Sequence, residues 1–376
     1  MMLADLGAEV IRVDDPSFPY AEPPPFLKDG RYYESTFNMI LMRNKKSITL
    51  NLKREGSLDI FYDLIESADV LVESFRPGVT KRLKIDYDTI SEINPKIVYC
   101  SITGYGQDGP YSQEPGHDLN FLSLSGSLWL NQRRPFSEKE KSERPIVPCL
   151  QGADIGGSLN AAIVILSAII HRDRTEEKSG QYIDISLFDS GFAINPYQLS
   201  HLIADSNDNI LHGDFPFYDV YRTKDDKFLA IGTIELKFWN RMCDAMNLPR
   251  KFKRMQMRRG QMQQEMRDYL TEEFQKRTQA EWLEIFEDVD IPVSAVKTPQ
   301  EALNDPQLRA RNMITYIEHP RFGKVLNVNN PIKMSKTNPT IRTVAKKLGK
   351  DTKSVIKSIG YTEETYEELR RKGCFR

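Results

Sequence analysis

The chain has 376 residues, 40% of them hydrophobic and 28% charged, a profile of globular protein at a length that favours two domains over one core. Its formal net charge of −1 supplies no whole-molecule field for nucleic acid or an anionic membrane, so neither is expected as a partner. The four cysteines (Cys100, Cys149, Cys243, Cys374) are scattered and form no CxxC pair, which argues against a disulfide framework and against a zinc site.

The chain opens Met1-Met2-Leu3-Ala4-Asp5, without the basic segment and apolar core of a signal peptide, so a cytoplasmic location is expected. Ala8 to Val13 and Ser47 to Leu52 read as short strands. Ser57 to Ser67 carries Leu58, Phe61, Leu64 and Ile65 at helical spacing and leads into Asp69 to Glu73, a buried-strand pattern. Ile97 to Ile102 and Gln181 to Leu187 are two further strands. Between them a long helix is predicted over about Ile155 to His171. Its longest apolar run, Ala161 to Ile170, is short of the roughly 20 residues of a membrane span. Alternating strand and helix implies a parallel sheet covered on both faces.

Past Ser190 the texture changes. Tyr218 to Thr223 and Phe228 to Gly232 flank Lys224-Asp225-Asp226-Lys227 as a hairpin, and charged amphipathic helices follow from about Leu236 to Glu287. The basic, Met-rich stretch Arg250 to Arg259 fits a solvated helix face better than a nucleic-acid surface, because aromatic residues are sparse there. A strand over Val325 to Val328 and a helix over Glu363 to Lys372 close the chain. The expected organisation is a large α/β domain over 1–199, a small α+β domain over 200–315, and a C-terminal segment, 316–376, that returns to the large domain.

Five histidines are present. His171 closes the long helix, where a cation suits the helix dipole. His201 lies in an apolar stretch, and His212 and His319 fall in predicted loops. His117 differs: in Pro115-Gly116-His117-Asp118-Leu119-Asn120-Phe121 it follows a Gly- and Pro-rich loop at the carboxyl end of a strand, where open α/β sheets bind ligands. Asp154, in Gln151-Gly152-Ala153-Asp154-Ile155-Gly156-Gly157, is fully explained as an N-cap of the long helix. It also fits a carboxylate held at a helix N-terminus among small neighbours. Glu235, in Gly232-Thr233-Ile234-Glu235, is by itself an ordinary acidic residue ahead of a helix.

Taken together, these segments resemble the family III CoA transferases, the CaiB/BaiF family, to which α-methylacyl-CoA racemases belong. The similarity rests on Leu3 to Ile11, Arg43-Asn44-Lys45-Lys46-Ser47-Ile48, Leu50 to Lys53, Glu73-Ser74-Phe75-Arg76-Pro77-Gly78-Val79, Thr103-Gly104-Tyr105-Gly106-Gln107-Asp108-Gly109-Pro110, Asn330 to Ser335 and Gly349 to Thr352. The resemblance implies a doubly wound parallel-sheet large domain with a smaller domain inserted, and an interlocked homodimer. It implies an acyl-CoA thioester lying against the large domain, with Arg43 and Arg76 near the CoA phosphates and Gly104, Tyr105 and Asp118 among the binding residues. No cofactor is implied beyond the CoA of the substrate. The strand and Gly-Pro turn that family members carry ahead of the segment matching Leu3 to Gly7 have no counterpart in this sequence, so the large domain is expected to lack that strand.

Both branches of the family have an aspartate at the position of Asp154, a nucleophile in transferases and a general base in racemases. Gly116-His117-Asp118, followed by Asn120 and Phe121, resembles the racemase pattern, as does Ile234-Glu235. The resulting expectation is a racemase that inverts C2 of 2-methylacyl-CoA thioesters. His117 and Asp154 serve opposite faces, Glu235 tunes the pair, and the Asp118 amide faces the enolate oxygen. A CoA transferase with Asp154 as nucleophile and a non-catalytic CoA-binding homologue are the alternatives.

Overall fold

A computed structural model describes residues 1–17, 25–31, 33–131, 144–204, 210–213, 215–258 and 260–375. Arg259 and the side chains of His201 and His212, singled out above, lie outside what is described. The chain divides into two compact units. The first comprises Met1–Glu114, Gly157–Ser186 and Ala302–Arg376, and the second Pro115–Gly156 and Leu187–Glu301. These bounds differ from the expected 1–199, 200–315 and 316–376. Local packing gives the reason: the Ser127 hydroxyl donates to the Gly191 carbonyl at 2.9 Å, and the site of a Cβ at Gly191 lies 3.2 Å from the Ala153 methyl. The segments after Pro115 and after Leu187 are thus bound to each other.

The first unit carries β1 (Val10–Asp14), β2 (Phe26–Lys28), β3 (Tyr33–Ser35), β4 (Lys45–Thr49), β5 (Val70–Glu73), β6 (Val98–Thr103) and β7 (Gln181–Ser186). β1 pairs with β4 in parallel, Val10 opposite Lys45, and β5, β6 and β7 form a second parallel ladder with Val98 opposite both Val70 and Gln181. β2 and β3 make an antiparallel hairpin too short for a sequence period to mark. The two parallel ladders are separate sheets, in the order β1-β4 and β5-β6-β7.

The helix Ser57–Glu66 buries Ile60, Phe61 and Ile65 in a core shared with Leu50, Ile90, Ile97 and the C-terminal Ile356 and Leu369. The tail also clips the outer edge of β4. Ser47 N–H donates to the Asp351 carboxylate at 2.9 Å, Asp351 N–H returns to the Ser47 carbonyl at 2.8 Å, and Thr49 N–H donates to the Thr352 hydroxyl at 3.0 Å. Gly349 (φ +71°) makes this approach possible, because a Cβ there would sit 3.1 Å from Thr49 side-chain atoms.

The long helix runs over Gly152–Arg174, 23 residues, well beyond its apolar run. By length and composition alone it could cross a membrane, a possibility the ten-residue stretch Ala161–Ile170 did not suggest, because Gly, Ala and Ser extend it on the N-terminal side. Ala161, Ile165 and Ala168 pack on Val98 and Cys100 of β6. Ile155, Leu159, Ile163, Leu166 and Ile170 recur every three or four residues and are exposed, Ile163 at 61%.

In the second unit β8 (Tyr218–Arg222), β9 (Phe228–Gly232) and β10 (Val293–Ala295) form an antiparallel sheet in the order β10-β9-β8. The helices Leu236–Ala245, Gln261–Phe274 and Gln279–Phe286 cover it with an aromatic core of Phe217, Trp239, Phe252, Phe274 and Trp282. Both buried indoles are satisfied, Trp239 Nε1–H by the Phe252 carbonyl at 3.0 Å and Trp282 Nε1–H by that of Phe274 at 2.9 Å. The chain then returns to the first unit with the hairpin β11 (Ile314–His319) and β12 (Gly323–Val328). His319, predicted in a loop, is the last residue of β11. Its Nε2 lies 2.9 Å from the Glu34 carboxylate and its ring stacks on Phe322.

Candidate active site

His117 immediately precedes the helix Asp118–Leu124, and its backbone N–H donates to the Asn120 side-chain oxygen at 3.1 Å while its carbonyl accepts the Asn120 N–H at 2.8 Å. This reciprocal turn fixes the residue with its ring on the exposed side. Asp118 points the other way and is buried. One of its carboxylate oxygens accepts the N–H groups of Ala153 at 2.9 Å and Asp154 at 3.0 Å.

This arrangement corrects the reading of Asp154 as an N-cap. The helix starts at Gly152, so Asp154 is its third residue, and the capping acceptor is Asp118, 35 positions earlier. The backbone amide of Asp118, assigned to an enolate oxygen, lies in the first turn of the 118–124 helix, where N–H groups have no intrahelical acceptor. Its carboxylate role was missed, because a cap between residues so far apart leaves no local sequence signal.

Asp154 is half-buried, and its carboxyl is held above the usual aspartate range. Burial is the main cause, the neighbouring Asp118 charge adds to it, and His117 opposes both. His117, Asp118 and Asp154 are therefore one electrostatic group: two acids and an imidazole at adjacent helix N-termini. Such a group can hold one proton and release another. Glu235 caps the helix Leu236–Ala245 only through its backbone, its carbonyl accepting Trp239 N–H at 3.0 Å. Its exposed carboxylate makes no ion pair or hydrogen bond among the described residues.

The remaining residues expected from the sequence to bind the CoA portion belong to the first unit. Arg76 is exposed in the loop after β5, and its guanidinium makes no ion pair or hydrogen bond among the described residues. Gly104 and Tyr105 follow β6, and the Tyr105 ring lies 5.7 Å from that of Tyr111. Burial, then Glu114 and Tyr111, raise the Tyr105 phenol above its ordinary value. Thr103, at the end of β6, has a buried hydroxyl with no partner among the described residues, a group that motif reading passed over.

Arg43 departs from expectation. It is 0% exposed and forms a two-pronged pair with Asp5, Nε to Oδ1 at 3.1 Å and Nη2 to Oδ2 at 2.7 Å. Nη1 donates to the Asn327 side chain at 2.6 Å and to the Val328 carbonyl. Asn44 and Asn330 donate to the same carboxylate, and Asn44 Oδ1 accepts Arg342 and Thr343 N–H. The guanidinium thus binds the segment around 327–343 to the start of the chain and does not face a phosphate.

The model of CoA-transferase family III matches residues 1–352. The chain is 32% identical to mouse alpha-methylacyl-CoA racemase over 98% of its own length and 91% of that protein's. It is 29% identical to human succinyl-CoA:glutarate CoA-transferase over 98% and 84%. A crystal structure of a CaiB/BaiF family protein from Brucella suis, 24% identical, superposes with a TM-score of 0.79 and covers 95% of this chain and 93% of that one. With its parallel ladders and its end-to-end match, the chain belongs to CoA-transferase family III, the enzyme group of the CaiB/BaiF racemases and transferases.

Proposed function

We propose that the chain is a cytoplasmic isomerase that inverts C2 of 2-methylacyl-CoA thioesters and needs no resident cofactor. The supporting observation is the coupling of Asp154 with His117 at a carboxyl shifted toward its neutral form. A nucleophile that attacks a thioester must be ionised, whereas a group that delivers a proton benefits from being harder to ionise.

In one direction the His117 imidazole takes the C2 proton, and the C–H electron pair moves onto the thioester carbonyl as an enolate. The carboxylic proton of Asp154 then adds to the opposite face, re-forming C–H. The enzyme is left with an imidazolium and an aspartate, the mirror of its starting state, ready for the reverse direction. Backbone N–H groups in the first turn of the 118–124 helix stabilise the enolate oxygen, and Glu235 stabilises the charged imidazole. Arg76, Gly104 and Tyr105 hold the CoA portion.

The greater identity to the racemases than to the transferase also supports the reading, as does the His117-Asp118 sequence. The exposed stripe Ile155–Ile170 supports a homodimer in which a second copy covers it.

Proton exchange in deuterated water with (R)- and (S)-2-methylacyl-CoA, read by NMR and chiral analysis, tests the proposal. Deuterium enters C2 with loss of stereochemical purity, and His117→Ala lowers exchange roughly 100-fold or more. Absence of exchange, with CoA passing instead to an added carboxylate, assigns the chain to the transferases with Asp154 as nucleophile.

A further inference from the structure

Glu73 is a buried carboxylate that the proton-transfer chemistry does not use. It ends β5, in register with Ser101 of β6, which is itself in register with Asp184 of β7. Both its oxygens accept: Oε1 takes the Ser101 hydroxyl, and Oε2 the Phe75 N–H at 2.7 Å. Ser101 in turn accepts the Tyr182 hydroxyl at 3.1 Å. A serine has one proton to donate, so the chain Tyr182 to Ser101 to Glu73 has a fixed direction and ends on an acceptor-only group. No cation pairs with this carboxylate among the described residues, and the charge of another acid, Asp184, acts on it. Burying an unpaired charge is costly, so the arrangement calls for a role.

The bond to Phe75 points to that role. It folds the carboxylate back onto its own loop, Glu73-Ser74-Phe75-Arg76-Pro77-Gly78, and pins the residue just ahead of Arg76 to the carboxyl end of the sheet. Asp184 does the same for the next loop, accepting Gln107 N–H at 3.0 Å. The carboxyl ends of parallel strands are where open α/β sheets bind ligands.

We propose that Glu73 is a positioning residue that orders the 73–78 loop so that Arg76 engages the phosphates of the acyl-CoA. The inference rests on the acyl-CoA reading above and adds to it the device that presents the guanidinium. It acts on binding of the nucleotide end of the substrate and leaves the chemistry at C2 untouched.

Steady-state kinetics and equilibrium CoA binding of the full chain test it. Glu73→Gln puts an amide N–H against a donor. It raises KM for acyl-CoA about 10-fold, with kcat within about twofold, because a lost charge-assisted phosphate contact is worth about that factor. With an acyl-pantetheine thioester, which lacks the nucleotide phosphates, parent and variant have the same KM. Arg76→Ala shows the same split, and the double variant is no worse than the single ones, as residues acting through one contact require. Ser101→Ala, which keeps the charge and removes one of its bonds, gives a smaller rise in the same direction and serves if Glu73→Gln does not fold. As pH falls through the Glu73 transition, KM for acyl-CoA rises in the parent but not in Glu73→Gln. Burial raises the pKa of this carboxyl, so the rise begins at a higher pH than for an ordinary glutamate. Equal loss toward acyl-CoA and acyl-pantetheine, or unchanged CoA affinity in both Glu73→Gln and Ser101→Ala, overturns the inference. A parent chain that binds no CoA overturns the acyl-CoA reading itself.

Discussion

The Asp118 carboxylate accepts the backbone N–H of Asp154 at 3.0 Å, so one candidate acid holds the helix turn that presents the other. Asp118→Ala leaves two helix N–H groups without their acceptor and lowers stability by roughly 1–2 kcal/mol in urea denaturation. Asp118→Asn keeps an oxygen for the cap and loses less. It also removes a charge that raises the Asp154 carboxyl, so the acid limb of the exchange-rate profile moves to lower pH.

Asp154 gives a second, thermodynamic prediction. Its folded-state pKa is raised, so the fold favours the neutral carboxyl. That contribution is fully present below the unfolded-state value and is lost as pH rises through the folded one. Asp154→Asn stays neutral throughout. The variant therefore melts above the parent near pH 8, and the gap closes in acid. Thermal melts across pH measure this directly.

Arg43 makes a buried ion pair with Asp5, and both side chains are inaccessible to solvent. Arg43→Ala strands a carboxylate in the interior and costs roughly 3–5 kcal/mol, whereas Arg43→Met with Asp5→Leu recovers much of that loss. Urea denaturation reports the difference. CoA affinity of the folded fraction stays at the parent value, which separates Arg43 from Arg76.

The exposed stripe on the 152–174 helix carries a prediction about assembly. Placing charge in it, with Ile163→Glu and Ile170→Lys, halves the mass measured by sedimentation while leaving the circular dichroism spectrum intact. Partition of the parent into a detergent or vesicle fraction, with no dimer in solution, points to the membrane instead.

The strands of the parallel ladders were legible as short runs carrying β-branched and aromatic residues, and the long helix as a sustained apolar stretch. β2, β3 and β10 were not, since three residues cannot show a period. His117, Asp118 and Asp154, singled out in the sequence by residue type, are brought into one group. What the sequence hid were relations across distance. The cap from Asp118 spans 35 positions, and the Arg43 bond to Asn327 spans 284. Arg43 in a motif reads as a phosphate ligand until its partners are seen, because a guanidinium fork suits Asp5 as well as a phosphate. His319 looked like a loop residue because its strand is defined by pairing with the hairpin around Gly323.

The clip of the tail on β4 also bears on how the chain comes to be folded. Ser47 meets Asp351 across 304 positions. During synthesis at about 5–20 residues per second, the edge of β4 therefore waits roughly 15–60 s for the residues that close it. Throughout that interval the nascent chain presents an open strand to its surroundings. The segment around Gly349 to Thr352 is thus the last part of this edge to arrive. A ribosome that stalls before Gly349 releases a chain with a complete sequence of strands and an unfinished sheet.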